Sequence, residues 1–237
     1  KPVENGALPI VAITTTAGTG TEADPWSVIT KEETNEKIGF GIPETFPKLS
    51  IVDPELMLTI PKDLTIYQGF DAFFHAVEGF IANVATPISD MYALKCIELI
   101  TISLPKAVAN GADIDARTDL ALANTFAGFV ESTSSCTSEH SMEHALSAFH
   151  PNLPHGAGLI MLSEAYFTFF ANKVPQRFIQ MAVVMGKDTS IVAPEKRPML
   201  FVEALNELQE KCGVANLKMS DYGIKHDEIK TLAQNAQ

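Results

Sequence analysis

At 237 residues, 46% of them hydrophobic, the chain is long enough for one large domain or two small ones with a substantial core, which argues against dominant disorder. A formal charge of -12 with no Lys/Arg cluster argues against nucleic acid and anionic membrane partners, and the apolar stretch Gly158 to Ala171, interrupted by Ser163 and Glu164, falls short of the roughly 20 residues of a bilayer span. Cys96, Cys136 and Cys212 form no close-spaced pair, which fits reduced thiols in a soluble cytoplasmic protein rather than a disulfide framework, and no signal peptide is recognisable ahead of the first strand.

In chain order, Leu8 to Thr15 reads as a short buried strand, apolar and β-branched, that runs into the glycine-rich Ala17-Gly18-Thr19-Gly20-Thr21-Glu22. Trp26 to Thr30, Lys37 to Ile42 and Leu49 to Val52 supply further short β-like segments, so the part up to about Asp53 contains β structure. After Pro61 the pattern turns helical, with long apolar-periodic segments at Ile66 to Val84, Ser89 to Asn110, Ala116 to Phe149 and Pro198 to Lys211. Pro61 suits a helix start and Gly213 a helix end. The fold class expected is mainly α with a short N-terminal β-containing segment.

The glycine loop admits several readings. Gly18-x-Gly20-x-x-Ala23 after a strand formally satisfies a dinucleotide fingerprint, but Pro25 interrupts the helix that should follow. Alternatively Thr15, Thr16, Gly18 and Thr19 form a hydroxyl and amide cradle for phosphate or ribose oxygens, or the segment is simply a tight turn.

Asp71 and His75 lie one helical turn apart, as do His140 and His144, and His155 follows the turn Pro151-Asn152-Leu153-Pro154. One carboxylate and several imidazoles that converge could hold a first-row transition metal, whereas an Asp/His pair at this spacing is by itself more often a hydrogen-bonded surface pair. An acid and an imidazole on an otherwise apolar helix need a partner to offset desolvation, which favours the metal. His150 reads as structural and His226 as solvated. Cys136, one turn before His140, reads as a buried, unligated thiol. Glu78 and Glu143 stand where they could orient an imidazole N–H, although a solvated or purely structural role is the simpler reading.

Taken in order, Thr15-Thr16-Ala17-Gly18-Thr19-Gly20-Thr21-Glu22, Ser50-Ile51-Val52-Asp53-Pro54-Glu55-Leu56, Gly69-Phe70-Asp71-Ala72-x-x-His75-Ala76-x-Glu78-Gly79 and His140-x-x-x-His144 with Pro154-His155-Gly156 resemble the iron-containing (group III) alcohol dehydrogenases. The resemblance runs from about Leu8 to about Gly186. It implies a dehydroquinate-synthase-like fold, in which residues 1–60 are the remnant of an α/β cofactor-binding domain and residues 61–237 an α-helical metal-binding catalytic domain. It further implies that the chain is the later part of a longer enzyme, without the family's N-terminal nucleotide-binding region.

The same resemblance assigns Asp71, His75, His140 and His155 to Fe(II), or zinc in its place, and makes His144 a candidate for proton transfer or substrate positioning. It carries Thr15, Thr16, Gly18 and Thr19 over to one wall of an NAD or NADP site, with Lys37 near the cofactor. Between His144 and His155 the chain holds one residue more than the family pattern, in the stretch that contains His150. The implied activity is hydride transfer between a small alcohol or aldehyde and the nicotinamide, in a homo-oligomer. Metal-dependent hydrolysis, and a non-catalytic helical fragment that only retains the ligands, are the alternatives.

Overall fold

The computed structural model describes residues 6–236. Among these residues four short strands, β1 (Val11–Thr14), β2 (Ser27–Lys31), β3 (Glu36–Phe40) and β4 (Leu49–Val52), precede eight α-helices, α1 (Lys62–Ile81), α2 (Pro87–Ala109), α3 (Ile114–Thr133), α4 (Ser138–Phe149), α5 (His155–Ala171), α6 (Pro175–Val184), α7 (Met199–Cys212) and α8 (Ile229–Asn235). The mainly helical class and the β-containing start are as expected.

β1 pairs in parallel with β4, Val11 opposite Leu49, and β2 forms an antiparallel hairpin with β3. Asn35 turns that hairpin at a φ of 51°, a left-handed conformation that asparagine tolerates better than most residues. The expectation of a buried first strand is not met: Leu8 is 86% exposed, and Val11 and Ile13 are exposed as well. A parallel pair hides its apolar residues only when both faces are covered, and among the described residues nothing covers these.

α1 is the central element. Every residue from Gly69 to Phe80 is buried, so the helix is apolar nearly all round, as a helix enclosed by others must be. It packs on α2, α3, α5 and α6. Phe70, Phe73 and Phe74 are fully buried and belong to the core rather than to a pocket; Phe73 stacks on Phe201 and Phe74 on Phe167. Full burial of one such ring contributes roughly 1.5–3 kcal/mol.

Local signals set the helix ends. Thr86 and Ser89 form a reciprocal capping box ahead of α2, Asp113 accepts from Ala116 N at 3.0 Å to start α3, and Gly213 closes α7 at a φ of 79°. The periodic segment Ala116 to Phe149 is not one helix but two. Its break falls in the hydroxyl-rich Ser134-Ser135-Cys136-Thr137, where Ser134 Oγ donates to Gly79 O and Thr137 Oγ1 to Glu78 Oε1. Side chains that bond outside their own helix stop its propagation, and here they redirect the chain so that α4 sets His140 against α1.

The glycine loop between β1 and β2 is pressed onto the helices, with no helix of its own. Gly20, at a φ of 64°, lies so close to α3 that a Cβ there would stand 2.4 Å from Gly128 N. Asn124 secures the contact: its Oδ1 accepts from Gly20 N at 2.9 Å and its Nδ2 donates to both Glu22 oxygens at 3.0 Å.

Candidate metal centre

Asp71 and His75 occupy one face of α1, His140 lies in the first turn of α4, and His155 is the first residue of α5, directly after Pro154. The three imidazole Nε2 atoms face a single oxygen. Asp71 Oδ1 is 3.7 Å from His75 Nε2, 3.5 Å from His140 Nε2 and 3.3 Å from His155 Nε2. These four side chains are the ones carried over by the family resemblance.

Each ring is held by its other nitrogen. His75 Nδ1 lies 3.3 Å from the carbonyl of Gly18, His140 Nδ1 bonds Glu78, and His155 Nδ1 bonds Glu143. A carbonyl or a carboxylate only accepts, so in each neutral ring the proton sits on Nδ1 and the Nε2 lone pair faces the centre. Glu78 and Glu143 are therefore not solvated: both are fully buried because each accepts from an imidazole. The backing group always lies on a different element from the ring it backs. Glu78 on α1 holds His140 on α4, Glu143 on α4 holds His155 on α5, and the loop carbonyl of Gly18 holds His75 on α1.

Asp71 Oδ1 and His140 Nε2 are buried and make no hydrogen bond. Such orphaned atoms are rare in a folded interior and, side by side with matching lone pairs, they fit a cation. The electrostatics agree. Burial alone would raise Asp71, but His75 and His155 outweigh it and hold the carboxyl well below its usual range. Burial depresses His75, yet Glu131 and then Asp71 bring it up to about 10; His155 rises to about 9 against burial, chiefly through Asp71. Without an ion, this many converging anions draw protons onto the rings.

A cavity of about 490 Å³ opens beside the cluster, and His144 and Lys37 line it. His144 is pushed down to about 4 by burial and then by His155, so near neutral pH it is an uncharged imidazole. Lys37 on β3 donates to Ser147 Oγ at 2.7 Å, which lays the hairpin over α4. Of the loop residues, Thr19 reaches the cavity whereas Thr15 and Thr16 are exposed outside it. Gly18 is buried, and a Cβ there would lie 3.1 Å from Asp71 Oδ2, so it serves the fit of loop to α1. His150 follows α4 with its Nε2 3.5 Å from Glu228 Oε2, and His226 is exposed.

Two acids at the cavity wall escaped the sequence reading. Glu131, on the last turns of α3, has Oε1 2.7 Å from His75 Nε2, and Asp24 is 1% exposed with Oδ2 unpartnered. Burial first, and Glu131 second, raise Asp24 to about 7. The sole sequence signal for Glu131 is an acid within an otherwise apolar and hydroxyl-rich run. Cys136 Sγ donates to Glu131 Oε1 at 3.5 Å; burial and Glu131 push its thiol up, in keeping with an unligated, protonated sulfur.

Residues 65–237 match the family model described as "Fe-containing alcohol dehydrogenase family, C-terminal", and residues 1–54 match "Iron-containing alcohol dehydrogenase". The chain is similar to the NAD-dependent methanol dehydrogenase of Bacillus methanolicus, with 36% identity over 99% of this chain and 61% of that one. It is 33% identical to the lactaldehyde reductase of Escherichia coli, over 100% of this chain and 61% of the relative. The structure of an archaeal halo-thermophilic alcohol dehydrogenase from a Red Sea brine pool superposes with a TM-score of 0.94 at 32% identity, covering 100% of this chain and 59% of that one. The chain thus spans about three fifths of the length of the relatives it matches.

Proposed function

Since the chain belongs to the iron-containing alcohol dehydrogenase family, we propose that it supplies the metal-holding part of an enzyme that moves a hydride between a small alcohol or aldehyde and a nicotinamide cofactor. The observation that carries this reading is the set of three imidazoles with Nδ1 tied and Nε2 turned to Asp71 Oδ1. Asp71, His75, His140 and His155 would hold Fe(II), with zinc as the alternative occupant. A bound ion would act as a Lewis acid toward the substrate oxygen and favour its alkoxide character.

The chain's own groups prepare the rest. Glu78 and Glu143 fix ring orientation and tautomer, so no reorganisation is needed when substrate arrives. His144, uncharged and on the cavity, is placed to accept the hydroxyl proton or to position the substrate by a hydrogen bond. Thr19 and Lys37, also on the cavity, are the residues proposed to meet the cofactor, with Thr15, Thr16 and Gly18 shaping the loop behind them. NAD is the preferred nicotinamide, since the methanol dehydrogenase relative is NAD-dependent. Residues 1–60 are proposed to belong to an α/β cofactor domain, a reading supported by the uncovered faces of the β1/β4 pair.

The test loads the whole protein with Fe(II) or zinc and follows nicotinamide absorbance with short primary alcohols, diols and their aldehydes. Turnover with at least one pair is expected. A metal-loaded protein inert toward every pair would overturn the proposal.

A further inference from the structure

The relation between Glu131 and His75 is not explained by a four-ligand centre. His75 Nδ1 faces the Gly18 carbonyl, which can only accept, so a neutral His75 presents a lone pair at Nε2. Glu131 Oε1 stands 2.7 Å from that nitrogen. Two acceptors at this separation need a proton or a cation between them, and an ion bound by His75 removes the proton.

Glu131 then has two courses: to turn away from the ion or to share it. The wall behind it does not welcome a free carboxylate. Its side chain is 11% exposed, its neighbours there are the weak donor Cys136 and a second acid on the same cavity, Asp24, and the cavity's lysine, Lys37, is engaged by Ser147. A buried charge without a counterion costs several kcal/mol.

Spacing points the same way. For metal bonds of about 2.0–2.2 Å, donors of one ion stand about 3.3–3.6 Å apart at tetrahedral angles and about 2.8–3.1 Å apart at right angles. The separations of 3.3 and 3.5 Å from Asp71 to His155 and His140 suit the first arrangement and the 3.7 Å to His75 lies just above it, while the 2.7 Å between Glu131 and His75 lies just below the second.

We infer that Glu131 is a fifth protein donor to the same ion, which makes the centre one of three imidazoles and two carboxylates. The inference rests on the reading of Asp71, His75, His140 and His155 as ligands. A second carboxylate gives a divalent ion a neutral protein environment, favours oxygen-seeking ions, and leaves fewer positions open to substrate.

Co(II) is the probe, bound to the wild-type protein and to the Glu131→Gln, Glu131→Leu, Cys136→Ser and His140→Ala variants, with folding of each checked by thermal unfolding. Affinity comes from calorimetry and coordination from the visible absorption of the cobalt. The wild type should take up one equivalent with the weak bands of a five-coordinate ion. Both Glu131 variants should bind about 10-fold or more weakly, since even outer-shell partners are worth about 10–100-fold, and their bands should intensify toward the four-coordinate pattern. Cys136→Ser should match the wild type.

Unchanged affinity and spectrum in the Glu131 variants, together with loss of cobalt in His140→Ala, would overturn the inference and leave the four-ligand reading standing. A near-ultraviolet thiolate-to-cobalt band that Cys136→Ser abolishes would name Cys136 as the fifth donor and overturn it also. A wild type that takes up no cobalt would overturn both.

Discussion

Glu143 and His155 are twelve residues apart and directly bonded across the α4–α5 turn, and Gly158 leaves the space that this glutamate fills: a Cβ there would meet Glu143 Cγ at 2.7 Å. Replacing the carboxylate by a weaker acceptor slackens both the tautomer and the aim of the ring. Glu143→Gln should therefore weaken metal binding about 10–100-fold with little change in helix content. Competition against a calibrated chelator measures it, and an affinity equal to wild type would show that Glu143 does not act through His155.

The two loop-side histidines should separate cleanly. His155→Ala and His140→Ala each remove an Nε2 within 3.5 Å of Asp71 Oδ1 and should strip the metal on dialysis. His150 faces Glu228 instead, so His150→Ala should keep the metal. Metal analysis of the dialysed variants decides, and loss of metal in His150→Ala would mean that the extra residue in this turn has moved the ligand.

Gly156 sits where α5 crosses α1, and a Cβ there would stand 2.1 Å from the carbonyl oxygen of Tyr67. Backbone cannot swing aside as a side-chain tip can. Gly156→Ala should destabilise the fold by about 1–3 kcal/mol, a fall in Tm of roughly 2–4 °C per kcal/mol, and should lower metal occupancy because His155 is its neighbour. A thermal melt that matches wild type would contradict the close approach.

Asp24 makes a pH prediction of definite sign. Its carboxyl rises from 3.8 to about 7 through burial and then the charge of Glu131, so the folded state holds this proton more tightly than the unfolded chain does. Stability contributed by that proton is present below about 4, declines as pH rises toward about 7, and is gone above it. Asp24→Asn keeps the Oδ1 acceptor for Trp26 N and removes the titration. In metal-free protein it should gain roughly 2–4 kcal/mol over wild type at pH 8 and little at pH 4, at about 1.4 kcal/mol per pKa unit. Denaturant unfolding at the two pH values checks it; a gain independent of pH would assign the effect to packing.

What sequence made legible follows from periodicity. The one-turn spacings of Asp71/His75 and His140/His144 place side chains on one helical face whatever the tertiary structure, and the strand at Leu49–Val52 ends where its β-branched run ends. The rest depends on contacts that no local pattern encodes. Glu78 and His140 are 62 residues apart, and a buried glutamate looks like a solvated one until its acceptor role is seen. The single periodic segment from Ala116 to Phe149 hid the break before α4, because the hydroxyls that stop the helix bond to α1 rather than to their own turn. Glu131 and Asp24 had no spacing to betray them.

The backing bonds run from the glycine loop to α1, from α1 to α4 and from α4 to α5, each tying a ring to the neighbouring element. No ligand can be aimed before the next element has docked, so the cluster assembles as a unit and a peptide carrying any one helix should have little affinity for metal. Capture of an ion then marks the completion of tertiary structure. A lesion at any link, however far from Asp71 in sequence, should register first as a slower or incomplete uptake of metal during refolding.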